Sequence, residues 1–437
     1  MAESMVSKLL ADVPVPRMFR ARQDFPRTAI PPERIRDEVF RELDRPEINA
    51  RLLPGKRIAI TAGSRGIRNV AQITKAVVDY VRSRGAEPFL VPAMGSHGGA
   101  TAEGQREVLA SYGITEGSMG CKILASMDTV RVGTSSRGKA VYMDRYAYES
   151  DGIIVSCRIK PHNAFRGPVE SGVCKMLTVG LGKQQGASIV HSDGMNHMAE
   201  NIPTMAEVVL STGRVIAAIP CLENAYDETM KIESILPEDI LRREPELLKE
   251  AFRNMPSLLV GEGDVLVVDE IGKNYSGSGV DPNITGTFST PYASGGIRVQ
   301  HSAFLDLSEE SHGNGLGVGL CTAITSRLYN KLDFEKMYPN CITSRVVKSI
   351  QIPFVLPTDK EALQLCLRMC VGVDPAFARV VRIPNSLHVD RIMLSEAYYQ
   401  DVLAGRYPGL SALDEPAELE FDPEGTLLTP IHVHAGS

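Results

Sequence analysis

The sequence predicts an α/β protein of two domains: an N-terminal Rossmann-like parallel sheet with helices on both faces, and a second, smaller α/β domain across a cleft. Three observations carry this. The chain has 437 residues, long for one hydrophobic core. Short apolar runs of strand length alternate with helical periodicities over its first half. Two glycine-rich turns, Gly63–Gly66 (GSRG) and Gly95–Gly98 (GSHG), stand 32 residues apart at the same place in consecutive β-α units.

Taken in order, residues 1–50 are rich in Pro, Arg, Asp and Glu, and read as an arm and a surface helix rather than core. The first strand is Arg57–Thr61. A helix follows from about Asn69, with Val70, Ile73, Val77 and Val81 at helical spacing and Gly85 as its stop. Pro88–Pro92 is the next strand, followed by a helix through Glu107–Tyr112. Val130–Gly133 and Lys139–Met143 form a short β excursion. Gly152–Cys157 is a buried strand that delivers Lys160 and His162. A helix (Met198–Leu210) and a strand (Val215–Pro220) complete the first sheet. The acidic, helical stretch 227–256 suits a surface or connecting role. A second βα series opens at Asp264–Asp269 and leads into a polar, glycine-rich loop holding Lys273, Asp281 and Asn283. Thr358 and Glu361 form a capping box for a helix that Gly372 ends. Ala378–Ile383 and Asp390–Ser395 are strands. The resulting domains are 1–260, 261–400 and an irregular acidic tail, 401–437. The break lies near 255–263, and a return of the C-terminal segment to the first domain is left open.

Bulk properties exclude several classes. The formal net charge of −6 argues against a general nucleic-acid binder. No apolar run approaches the ~18 residues that span a bilayer. The eight cysteines form no CxxC pair and most sit in apolar runs, so buried thiols in a reducing cytoplasm are expected rather than a disulfide framework.

The densest chemistry lies between Arg158 and His197, with His162, His191, His197, Lys160, Lys175, Lys183 and Arg166. Right-handed crossovers bring the turns after successive parallel strands to one sheet edge, so Arg65, His97 and the Lys160/His162 pair should share a crevice. His97 and His162 titrate near neutrality and suit acid/base work on opposite sides of a substrate that inverts a carbon centre; the alternative is that each bonds a loop backbone. Lys175, among Val173, Cys174, Met176 and Leu177, is either snorkelling or a desolvated nucleophile. Arg65 suits a carboxylate or phosphate, or else a loop salt bridge. His191 and His197 flank a turn and could ligate a metal, although no spacing matches a zinc motif. The glycines at 180, 182 and 186 do not make a dinucleotide fingerprint.

Arg65, the Gly-Ser-His97-Gly turn, Pro161-His162, and Ser171–Gly180 with Lys175 inside it and His191 beyond together resemble the nickel-dependent lactate racemase superfamily. Its members are hydroxyacid racemases and epimerases that use a nickel-pincer nucleotide. The resemblance runs over roughly 15–400 and is most specific between 90 and 195. It implies a pyridinium-3-thioamide-5-thiocarboxylic acid mononucleotide with nickel, held through a covalent thioamide on Lys175. It further implies His191, 16 residues beyond the lysine, as the metal's protein ligand. His97 and His162 match the acid/base pair and Arg65 the anion-binding arginine. Ser64, Gly95 and Lys160 are expected as further cofactor contacts, and Lys273, by a looser match, and Arg166, in the added length, are expected to join Arg65 on the substrate.

Three departures shift the expected substrate. Ala62 stands where the lactate racemases have an acid, the His162–Lys175 interval is longer and contains Arg166 and Glu170, and the chain has no tryptophan. A polar or larger 2-hydroxy acid is therefore expected rather than lactate. The partners implied are that acid and the cofactor-making enzymes, with neither nucleic acid nor membrane; homo-oligomerisation is left open. Two alternatives stand beside this: a silent nucleotide- or metal-binding homologue, and a nicotinamide-dependent 2-hydroxyacid dehydrogenase, which the missing fingerprint disfavours. The roles of His197, Asp281 and Asn283 are not assigned.

Overall fold

The computed structural model describes residues 4–64 and 66–432, and the chain divides into two compact units. A middle unit comprises Arg27–Met255 with Thr343–Arg345. A terminal unit comprises the chain up to Pro26, Pro256–Ile342 and the chain from Val346. In chain order the strands are β1 (Met18–Gln23), β2 (Arg57–Ala62), β3 (Glu87–Pro92), β4 (Thr129–Thr134), β5 (Ala140–Asp144), β6 (Gly152–Arg158), β7 (Val215–Glu223), β8 (Thr229–Ile232), β9 (Val265–Ile271), β10 (His301–Leu307), β11 (Ala323–Thr325), β12 (Phe354–Leu356), β13 (Val380–Ile383), β14 (Arg391–Ser395) and β15 (Leu410–Ala412).

The middle unit is built on a five-stranded sheet in the order β3-β2-β6-β7-β8. β3, β2, β6 and β7 run parallel, and β8 is antiparallel to β7. On one face Ile58, Ile60, Leu90, Ile154, Ala217 and Ile219 pack with Val39 and Leu43 of the helix Ile35–Leu43 and with Ile73 and Val77 of the helix Val70–Ser83. Alternation sends Ala59, Ile153, Val155 and Cys157, all buried, to the opposite face. Helices on both faces explain why the central strands are nearly all apolar. From β2 the chain steps to β3 on one side and later to β6 on the other. This reversal is a topological switch point, and in open α/β sheets ligands bind outside the strand ends at such a point. β4 and β5 form a separate hairpin with a bulge between Arg131 and Gly133.

The terminal unit carries the wider sheet, eight strands in the order β12-β11-β10-β9-β13-β14-β1-β15. β12 to β13 run parallel, and β14, β1 and β15 each pair antiparallel with the strand before them in that order. Val265, Val267, Ala303 and Leu305 pack beneath Ala362, Leu363, Cys366 and Leu367 of the helix Asp359–Met369. No helix among the described residues is long and apolar enough to cross a membrane.

Several expectations need correction. Residues 18–23 are a sheet strand between β14 and β15 and belong with the C-terminal half of the chain, so the expected 1–260 domain loses its first 26 residues. Arg20 and Arg22 disguise the alternation by which Phe19, Ala21 and Gln23 point inward. The segment from 401 is also less irregular than expected: it supplies β15, and Leu419 and Ile431 are buried in the terminal core. The Thr358 hydroxyl accepts the Glu361 N–H at 3.1 Å, but the reciprocal carboxylate bond of a capping box is missing; one Glu361 oxygen is buried without a hydrogen bond. The stretch 227–256 contributes β8 and an inward-facing helix rather than only surface.

Candidate functional site

The turns after β2, β3 and β6 leave the carboxyl edge of the parallel sheet, and each carries polar side chains. Arg65, in the first turn, lies outside the described residues. Its neighbour Ser64 hydrogen-bonds Nδ1 of His97 through its hydroxyl, which joins the first turn to the second. The His97 turn contains Gly95 at φ +59° and Gly98 at φ +66°. A Cβ on Gly98 would lie 2.6 Å from the Gln105 nitrogen, so glycine is needed there for close approach as well as for its backbone angle.

A buried polar network supports this turn. Lys183 and Asp144 are fully buried and pair at 3.1 Å. The Lys183 ammonium also donates to the Pro92 carbonyl and, at 3.1 Å, to Gln105 Oε1. Gln105 in turn donates to the Gly95 carbonyl at 3.0 Å and the His97 carbonyl at 3.3 Å. Burial raises the Asp144 carboxyl and lowers the Lys183 ammonium from their ordinary values, each opposed by the other's charge. Lys183 sits at φ +55°, an uncommon angle for a side-chain-bearing residue, and its ammonium is tied at three points.

Beyond β6 the chain makes an excursion pinched at its base by Lys160 and Ser171, whose backbones exchange bonds of 2.9 and 3.2 Å. His162 lies inside it, Nδ1 accepting the Ala164 N–H at 3.1 Å and the ring 4.4 Å from that of Phe165. Glu170 is buried and accepts the His162 N–H at 2.6 Å and the Gly167 N–H at 3.2 Å. Arg166 donates to the His162 carbonyl at 2.7 Å, reaches Glu170 at 3.3 Å and lies over the Phe252 ring. The added length noted in the sequence is therefore a self-braced loop, with Arg166 engaged in the bracing.

Lys175 follows directly, half-buried on the short helix Val173–Lys175, which continues into a π turn over Met176–Gly180. Such turns are rare and concentrate at functional sites. The Gly95 N–H donates to the Gly180 carbonyl at 3.2 Å, tying the His97 turn to the turn after Lys175. Beyond the helix Lys183–Val190 stands His191, whose ring Nδ1 lies 2.7 Å from the Ala187 carbonyl. A carbonyl only accepts, so Nδ1 carries the hydrogen, and in the neutral ring Nε2 keeps its lone pair.

Electrostatics tie these groups together. Burial, then the charges of Lys175, His191, Lys160 and Arg166, push the His162 imidazole well below its ordinary range. Burial also lowers His191, with Lys175 and Arg345 acting in the same direction and the Ala187 bond opposing. Both shifts favour the neutral ring. Lys160, Lys175 and Arg166 are the cations whose charges act on the His162 ring, His191 lies with them on the middle unit, and the Gly95 bond to Gly180 ties the turn of Ser64-bonded His97 to this group.

Other expected residues lie elsewhere. Lys273 belongs to the terminal unit, where its ammonium bonds the Gly277 carbonyl at 2.7 Å and Asn340 at 3.3 Å. Asp281 accepts both the backbone and the side-chain N–H of Asn283, a bond pattern that shapes the loop. His197 lies beside Arg137 and Glu200 in a partly exposed polar group. Among the described residues, no three His, Cys, Asp or Glu side chains converge as a closed metal site.

Sequence reasoning missed Glu244. It is fully buried inside the helix Ile240–Asn254 and accepts the Cys174 N–H at 2.9 Å, capping the start of the Lys175 helix. Ile240, Leu247, Leu248 and Ala251 mark the buried face, and position 244 falls on it; that spacing was the available signal. Burial pushes this carboxyl from the ordinary 4.5 up to about 7. Because the folded value lies above the unfolded one, the folded state's preference for the protonated acid is fully present below about 4.5 and is lost as pH rises through about 7. Glu244→Gln keeps an acceptor for the Cys174 N–H without the titration. Its stability relative to wild type should rise by up to roughly 3 kcal/mol from acid to pH 8. Urea midpoints at pH 5, 6.5 and 8 measure this, and parallel curves for the two proteins would refute it.

A family model described as a domain of unknown function (DUF362) matches residues 63–235, a stretch containing all three turns and the Lys175 helix. No curated protein matches the chain. Among solved structures, the chain is similar to the lactate racemase apoprotein from Thermoanaerobacterium thermosaccharolyticum. The identity is 14%, the TM-score 0.49, and the match covers 84% of this chain and 98% of that one.

Proposed function

We infer that the protein is an isomerase, a racemase or epimerase of 2-hydroxy acids, built to hold a nickel-pincer nucleotide. The observation that supports this most is that His191, whose charge environment includes Lys175, has its ring Nδ1 held by the Ala187 carbonyl. The resemblance of Ser171–Gly180 and His191 to the nickel-dependent racemases supplies the chemical identity.

The residues fit the group. Lys175 offers a primary amine for a thioamide link. His191 offers Nε2 while its other ring nitrogen is held by a backbone carbonyl, the arrangement that orients metal-bound imidazoles. Its lowered proton affinity keeps the ligand neutral. The cations at 160 and 166 suit an anionic nucleotide and an anionic substrate. When bound, the pincer supplies a reversible hydride acceptor. The chain's own residues do the rest: Arg65 is assigned to the substrate carboxylate, and Ser64, Gly95 and Lys160 to the cofactor. His97 and His162 handle the hydroxyl proton and the keto oxygen. Nickel would take the His191 imidazole readily, and one protein ligand would suffice where the organic group provides the others.

His191→Ala tests the division of labour. Protein produced together with pincer-making enzymes should keep its covalent mass increment on Lys175 and lose more than about tenfold of its nickel. Intact-mass and metal analysis read the two separately. Nickel retained at wild-type level by His191→Ala would exclude His191 as the ligand.

A further inference from the structure

We propose that the loop Ala164–Glu170 is a clamp holding His162 as a fixed hydrogen-bond donor, with Glu170 as its positioning residue, so that His97 alone exchanges the substrate's hydroxyl proton. The proposal deepens the hydroxyacid reading and rests on it for the identity of the oxygen that His162 meets.

The geometry runs from backbone to ring. A backbone N–H can only donate, so the Ala164 amide at 3.1 Å from His162 Nδ1 requires a lone pair there. That excludes the imidazolium, which carries hydrogens on both nitrogens, and leaves the neutral ring with its hydrogen on Nε2. The clamp keeps the ring from exchanging tautomers. Glu170 takes the His162 and Gly167 N–H groups with its two oxygens, Arg166 takes the His162 carbonyl, and Phe165 lies against the imidazole. The Lys160–Ser171 backbone pair closes the loop below. A neutral imidazole with a fixed Nε2–H can polarise a carbonyl or hydroxyl oxygen by hydrogen bonding; it has no lone pair facing the site with which to take a proton.

His97 is held differently. Its Nδ1 partner is the Ser64 hydroxyl, which can donate or accept by rotation. Ser64 can therefore follow either tautomer of His97 while the ring takes a proton and gives it back. The two site histidines are accordingly unequal, although in the sequence they look alike.

The test is nitrogen NMR of full-length, cofactor-free protein labelled in its histidine rings, with His162 assigned by the signals lost in His162→Gln. Wild type should show His162 Nε2 protonated and Nδ1 unprotonated at pH 7–8. Glu170→Gln, which puts an amide N–H where a carboxylate oxygen accepted, should move these signals toward tautomer averaging. A protonated or averaged Nδ1 in wild type would overturn the clamp. An unchanged ring in folded Glu170→Gln would overturn the role of Glu170.

On loaded enzyme, His162→Ala should lower kcat about 10²–10³-fold, the usual effect of losing one donor to a developing oxyanion. His162→Gln, which restores an N–H, should recover at least about tenfold of that. The ionisation in the kcat/KM pH profile should persist in both and disappear in His97→Gln. Its persistence in His97→Gln would overturn the assignment of proton exchange to His97. An NMR result as expected, with no acid inverted by loaded protein, would leave the clamp standing and remove the hydroxyacid reading.

Discussion

Replacing Lys175 with alanine, or with arginine, should give a folded protein that gains no covalent mass increment and inverts no hydroxy acid. The loss relative to loaded wild type should be at least about 10⁴-fold, because the step that inverts the carbon belongs to the tethered group and no other side chain replaces it. Arginine is the informative control. It preserves the positive charge beside His162, so its failure assigns the effect to the covalent link rather than to anion binding. Neither change should unfold the chain, since Lys175 is only half-buried and stands among other cations. Intact-mass analysis and chiral chromatography read the two outcomes, and a wild-type mass increment on Lys175→Arg would place the tether on another residue.

The largest effect on stability is expected at Lys183. Truncation to alanine leaves the Asp144 carboxylate buried and uncompensated, a defect that costs roughly 3–5 kcal/mol. Both side chains are fully buried, so solvent does not screen the loss. The same change removes the anchor of Gln105 and frees the carbonyls of Gly95 and His97, so activity should fall even where the variant remains folded. Pairing Lys183→Met with Asp144→Asn removes both charges and should recover a large part of the stability, since an apolar replacement of a buried pair is often tolerated. Denaturant unfolding of wild type, Lys183→Met, Asp144→Asn and the pair combined forms a double-mutant cycle. Additive effects would show that the two residues do not act as a pair.

The middle sheet was legible because its strands are buried on both faces and its turns are marked by glycine, so period and punctuation agree. The cluster around Lys175 was legible for the same reason: the polar residues interrupt apolar runs at the ends of strands. What stayed hidden depends on partners distant in sequence. Met18 pairs with Ser395, and nothing near residue 18 announces a strand whose neighbours lie at the other end of the chain. Glu244 reads as one acid in an acidic helix until the facing Cys174 N–H is known. Lys183 reads as part of a glycine-rich loop until Asp144 and Gln105 come to meet it. The tautomers of His162 and His191 depend on single backbone contacts that no side-chain pattern encodes.

Isotope tracing of inversion on loaded protein tests the proposed chemistry most directly. Single enantiomers of polar 2-hydroxy acids and aldonic acids are incubated in deuterated water, and the inverted product is analysed at C2. A hydride that leaves and returns within the site gives inverted acid that keeps its original hydrogen, without solvent deuterium at that carbon. Inversion of none of the acids, or inversion with deuterium built into C2, would contradict it.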